Sequence, residues 1–211
     1  MKFYDCRMAP NPRRARIFMA EKSIVLPTIE VDIVNGENLR EPFLTVNPRG
    51  LLPTLELDDG THFDEVMAIC RYLEELYPTP ALLGRTPVER ARVTSYQRKA
   101  EFEGMIAGSE VFRNGHEKFS VRSIPGAPHQ SVPAIPGLIA RGHQTIGRFH
   151  DWLENTLSRS EYLVGDTYTM ADITAQCAIG FHAWIKVEIP ENHAHTQRWF
   201  RAVSARPSAG A

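Results

Sequence analysis

The stretch Asn47-Pro48-Arg49-Gly50-Leu51-Leu52-Pro53-Thr54-Leu55-Glu56-Leu57-Asp58-Asp59-Gly60 decides how the chain folds. Asn-Pro and Arg-Gly mark a turn, Thr54 to Leu57 alternates as a short strand, and Asp59-Gly60 is a hairpin signal that implies a second strand near Thr61 to Phe63. From Glu65 onward Val66, Ile69, Cys70, Leu73 and Leu76 recur at helical spacing. Pro53 heads a strand after a loop, a position where the peptide bond from Leu52 is expected to be cis.

Upstream, Lys2 to Asp5 reads as a strand, Arg13 to Glu21 as a helix, Leu26 to Ile33 as a strand and Leu39 to Val46 as a short helix. Asn11 suits the N-cap of the first helix and Pro12 its first turn. The resulting order β-α-β, then α-β-β-α, resembles a thioredoxin-like domain, with a right-handed βαβ half. The proline-rich connector Pro78 to Pro87 separates this part, residues 1–80, from residues 81–211, where strand signals fade. There Val88 to Lys118 is helical, with Phe102, Met105, Ile106, Val111 and Phe112 as inward positions. Ser123 to Pro136 is a loop, and Ile135 to Leu157 carries an apolar stripe of Ile139, Ile146, Phe149, Trp152, Leu153 and Leu157. Thr169 and Asp172 form a capping box before the buried-looking run Ile173 to Ile185, a structural nucleus whose threonine cap contributes about 1 kcal/mol.

Composition narrows the function. A chain of 211 residues with 43% apolar content can bury a core, and a formal charge of −1 offers nothing for nucleic acid or an anionic membrane. The charged start and the lack of a long apolar run imply a cytoplasmic location and no membrane span. Three cysteines without a Cys-x-x-Cys pair disfavour disulfides and zinc. His193-Ala194-His195 reads as a solvated helix face, so no metal is expected.

The segment from Asn47 through the Ile69 helix is similar to the glutathione-site segment of cytosolic glutathione transferases. The Gly165 to Ile173 segment is similar to the helix-capping motif of their helical domain, and Arg198 to Pro207 looks like the last helix of bacterial members. The resemblance implies a thioredoxin-like domain followed by an all-helical one, glutathione as cosubstrate, a small hydrophobic electrophile as partner, and a homodimer. Such an enzyme lowers the glutathione thiol pKa. Moving it from 8.5 to about 6.5 takes roughly 2.7 kcal/mol. A helix N-terminus supplies about 0.3 to 1 kcal/mol, at most roughly 2, and a charge-assisted hydrogen bond about 1.5 to 3. A donor in the loop before the first helix is therefore needed.

The family position for a serine or cysteine donor falls on Ala9, which cannot donate. Asn11 coincides with an asparagine that nu-type and fungal prion-related members keep near the sulfur. Two roles stay open to it, thiolate donor or helix cap. Cys6, at the end of the first strand, could instead exchange disulfides or be plain core. The resemblance further implies that the Leu52 backbone beside Pro53 pairs with the cysteinyl residue, that Glu65 and the Val66 N–H receive the γ-glutamyl end, and that Asn38 contacts the peptide. Val66 stands where relatives have serine and Leu51 where they often have lysine, which removes contacts unless Arg49 or Arg13 compensates. Met8, Phe102, Met105, Phe112 and Arg113 could line the electrophile pocket or pack as core. The rivals to conjugation are a non-catalytic binding protein and a glutathione-dependent disulfide or peroxide reductase.

Overall fold

The structure, a computed structural model, describes residues 1–122 and 124–211; Ser123, the first residue of the expected loop, lies outside the described residues. Strand β1 (Lys2–Asp5), helix α1 (Pro10–Glu21), strand β2 (Thr28–Glu30), helix α2 (Phe43–Val46), strands β3 (Thr54–Glu56) and β4 (His62–Phe63) and helix α3 (Val66–Leu76) form the first part. The sheet runs β2-β1-β3-β4, with β1 parallel to β2 and antiparallel to β3, and β3 antiparallel to β4. This is the expected thioredoxin-like order.

The Asp59-Gly60 turn closes as its sequence dictates. Gly60 has φ +85, the Leu57 N–H donates to the Thr61 carbonyl at 2.8 Å, and the Asp59 carboxylate accepts from the Thr61 N–H at 2.9 Å. The short helix expected from Leu39 is cut in two. A 3₁₀ turn covers Glu37–Leu39, and α2 begins only after the cis Glu41-Pro42 bond, because proline cannot donate to a helix continuing through it.

From Pro87 the chain is helical: α4 (Pro87–Lys99), a π-helical turn (Ala100–Ile106), α5 (Ala107–Gly115), α6 (Pro136–Leu157), α7 (Met170–His182) and α8 (Ala194–Ser204). The π turn corrects the inward set expected here. Its wider winding rotates the apolar stripe, so Met105 and Val111 are buried while Phe102 and Ile106 are exposed. Gly104 in that turn lets α7 approach, since a Cβ there would stand 2.8 Å from the Ala178 Cβ. One hydrophobic cluster runs from Phe3, Ile17 and Leu55 in the first domain to Phe149, Ile173 and Trp199 in the second.

Asp172 is the polar pivot of the helical domain. Fully buried, it accepts from the Thr169 N–H at 3.0 Å, the Leu163 N–H at 2.9 Å and the Trp199 indole at 3.0 Å. Burial pushes its carboxyl up to about 6, against the pull of these hydrogen bonds. The capping box thus forms, and it also ties α7 to α8. Among the described residues no helix is long and apolar enough to cross a membrane.

Candidate functional site

The first turn of α1 differs from expectation. Ala9 is the N-cap and Pro10 the first helical residue, so Asn11 sits inside the turn and caps nothing. Either proline of Pro10-Asn11-Pro12 can occupy a first-turn position, since neither has an N–H to lose, and the earlier one starts the helix. Together they leave Asn11 as the one backbone donor among the first three helical residues. The helix end is therefore poor in donors, and its side chains matter more.

Freed from capping, the Asn11 amide is held at both ends. Its Nδ2 donates to the Leu52 carbonyl at 2.9 Å, and its Oδ1 accepts from Arg14 Nη1 at 2.9 Å. The partners dictate which end is which: a carbonyl must receive N–H, and a guanidinium must meet oxygen. One Nδ2 hydrogen remains to donate elsewhere. Arg14, only 2% exposed, also donates to Glu101 Oε1 at 3.0 Å, across the domain boundary. Burial pushes the Glu101 carboxyl up, but the Arg14 charge and the Gln97 and Arg14 hydrogen bonds outweigh it and leave the group below its usual range. Arg14 and Glu101 had no signal in the local pattern. They are separated by 87 residues and meet only in the folded chain.

The Leu52-Pro53 bond is cis, as expected. Asn47 pins the loop before it, donating to the Leu51 carbonyl at 2.9 Å and the Thr54 hydroxyl at 3.1 Å while accepting from the Arg49 N–H. The Asn-Pro dipeptide marked this turn; the structure adds that the side chain buttresses it. Gly50 has φ +62, and a Cβ on it would lie 2.7 Å from the Asn38 carbonyl oxygen, so the turn requires glycine. The Leu52 N–H has no partner among the described residues, leaving a free backbone donor beside the Asn11 amide.

Asn38 is buried, and its Nδ2 donates to the Gly50 carbonyl at 2.7 Å, while its Oδ1 has no partner among the described residues. Its hydrogen bond braces the groove. At α3, Glu65 is the N-cap without a side-chain cap, so the first-turn amides beginning with Val66 remain open to an anion. The Glu65 side chain is 61% exposed and meets Arg49 Nη1 at 3.2 Å. The Val66 side chain is buried in the core, so this position offers backbone only. Of the two arginines that could compensate for Leu51, Arg13 donates to the Ala209 carbonyl at 3.1 Å, while Arg49 gives its Nη1 to Glu65 and Asp64 and keeps its Nε and Nη2 beside Gly126, next to the Leu51 side chain.

Cys6 is 5% exposed within a cluster of Tyr4, Val31, Phe43 and Leu52, which favours its reading as core. Burial pushes the Cys70 and Cys177 thiols up to about 12 and about 11, which makes both inert packing groups. Among the described residues no cluster of metal-ligating side chains occurs. Of the expected pocket residues, Met8 and Phe102 are exposed, with Arg98 stacked 4.0 Å from the Phe102 ring centre; Met105 is buried. Phe112 packs against Phe119, Phe181 and Trp184.

Residues 9–76 match the family model described as the glutathione S-transferase N-terminal domain, and residues 140–207 the model of the C-terminal domain. Glutathione S-transferase 2 of Saccharomyces cerevisiae is 30% identical, the match covering 99% of this chain and 87% of the yeast protein. The crystal structure of a glutathione S-transferase domain-containing protein from Marinobacter aquaeolei VT8 superposes with a TM-score of 0.88 at 33% identity, covering 99% of each chain. The crystal structure of Gtt2 from Saccharomyces cerevisiae gives 0.88 at 30% identity, over 99% of this chain and 98% of that one. With both family models matched and full-length relatives sharing fold and sequence, the chain belongs to the glutathione S-transferase family, whose cosubstrate is glutathione.

Proposed function

We propose that the chain is a glutathione transferase in which Asn11 donates the hydrogen bond that stabilises the glutathione thiolate. The observation that carries this reading is the Asn11 amide itself: one N–H is spent on the Leu52 carbonyl, and the other is free next to the unpartnered Leu52 N–H. A cysteinyl residue pairing with Leu52 as an added strand would place its sulfur beside that second N–H. Prolines remove two of the first three backbone donors of α1, so the side-chain bond, worth about 1.5 to 3 kcal/mol, must supply most of the roughly 2.7 kcal/mol needed.

In this reading the first-turn amides of α3 hold the γ-glutamyl carboxylate and Glu65 its ammonium. Pro53 shapes the groove and Asn38 braces it. The second substrate is a small hydrophobic electrophile, met beside the exposed Met8 and Phe102. The division between domains falls at residues 80 and 81, the working form is a homodimer, and the setting is cytoplasmic. The exposed Val88 at the start of α4 supports an interface on that helix. Burial of Cys6 weighs against disulfide or peroxide reduction.

The test is glutathione-dependent turnover of a chlorinated nitroaromatic and of a mixed disulfide by the wild type, Asn11→Ala and Cys6→Ala. Conjugation is expected to exceed reduction. Asn11→Ala should lose about ten- to a hundredfold of kcat/KM, with Cys6→Ala near wild type. Full activity in Asn11→Ala would overturn the role given to it, and dominant disulfide turnover abolished by Cys6→Ala would replace conjugation with reduction.

A further inference from the structure

A cavity of about 380 Å³ lies where the connection between α5 and α6 folds onto the thioredoxin-like domain. Asn38, Gly50 and Leu51 line it from that domain, and Arg113, Phe119 and Arg122 from the helical one. Arg113 Nη1 donates to the Arg122 carbonyl at 2.7 Å, and each guanidinium lies 4.9 Å from the centre of the Phe119 ring. Two cations thus flank one aromatic ring. Arg122 also reaches across the domains, since a Cβ on Gly36 would stand 3.8 Å from its Nη1.

This pair lines a cavity together and has no counter-charge among the described residues. Arg14, Arg16 and Arg206 each meet a carboxylate. Among the described residues Arg113 and Arg122 meet none; their hydrogen bonds go to main-chain carbonyls, and no residue lining the cavity is acidic. Burial and the neighbouring Arg122 charge hold Arg113 down at about 10, as expected of half-buried like charges without an anion. A guanidinium presents a planar fork that suits a carboxylate.

We propose that Arg113 and Arg122 form a carboxylate-binding subsite, supplied by the helical domain, on the Leu51 side of the glutathione groove. It rests on the glutathione reading only for which molecule brings the carboxylate. One source is the glycyl end of glutathione, where Leu51 supplies no charge, Arg13 is bonded to the Ala209 carbonyl, and the nearby Arg49 is already paired with Glu65 and Asp64. The other is an electrophile that itself carries a carboxylate.

Calorimetry on the full chain separates these sources with two acid and ester pairs: glutathione against its glycyl ethyl ester, and 4-chloro-3-nitrobenzoate against its methyl ester. One acid should bind about ten- to a hundredfold more tightly than its ester, and that preference should fall below about twofold in Arg122→Gln and Arg113→Met. The pair that shows it identifies the source. Arg122 lies on a surface loop, so its variant tests the site without disturbing the core. Equal binding of acid and ester in both pairs, or a preference untouched by both variants, overturns the subsite while leaving glutathione binding intact. If the benzoate shows the preference and glutathione does not bind, the subsite stands and the glutathione reading falls.

Discussion

Glu101 and Arg14 make unequal partners, and their removal should show it. Arg14 is 2% exposed and its Nε and Nη2 have no partners among the described residues, so its charge depends on Glu101. Glu101, by contrast, keeps Gln97 Nε2 at 3.1 Å and Arg98 if Arg14 is lost. Glu101→Gln strands a buried cation, and breaking such a pair costs about 3 to 5 kcal/mol. Arg14→Met keeps most of the aliphatic volume, leaves a still-paired carboxylate, and should cost about 1 to 3 kcal/mol. The Glu101 carboxyl is held below its usual range in the fold, so its stabilisation is present above the unfolded pKa near 4.3 and is lost as pH falls through the lower folded value. Urea unfolding at pH 7 and at successively lower pH reads both effects. An Arg14→Met cost equal to or above that of Glu101→Gln, or a Glu101→Gln cost that persists undiminished into strong acid, would refute the reasoning.

Asp172→Ala leaves the Thr169 and Leu163 N–H groups and the Trp199 indole without acceptors in a fully buried site, so chemical unfolding should report a loss of about 3 to 5 kcal/mol, against about 1 for Thr169→Ala. His150 and His182 are buried 5.5 Å apart, and burial depresses both to about 4. Their stabilisation is complete above the unfolded value near 6.5 and disappears as pH falls toward 4, so His150→Phe should flatten that part of the stability profile, by about 2 to 3 kcal/mol. An unchanged slope between pH 6.5 and 4 would contradict it. Gly104→Ala drives a methyl to 2.8 Å from Ala178 and 3.0 Å from Phe149, and should lower stability by about 1 to 3 kcal/mol in a thermal melt corrected to free energy.

Local chemistry carried the architecture. The Asp59-Gly60 turn, the alternation of Thr54 to Glu56 and the Thr169/Asp172 box each act within a few residues, where propensity and hydrogen bonding decide the outcome. Ambiguity entered where two residues could do the same job. Pro10 and Pro12 both suit a helix start, and taking the later one made Asn11 a cap. The π turn at Ala100–Ile106 escaped because its winding changes which side chains face inward without changing their types. The candidate site was legible as a set of backbone positions, Leu52, Pro53 and Val66. The side chains that hold Asn11 were not, because Arg14 and Glu101 join segments distant in the chain.

The most direct measurement is an ultraviolet titration of the glutathione thiolate bound to the wild type and to Asn11→Ala. A bound thiol with its midpoint near 6.5, moved upward by about one to two units in Asn11→Ala, is the result expected from an amide aimed at the sulfur. A bound thiol that titrates near 8.5, as it does free in water, or the same midpoint in both proteins, would contradict it.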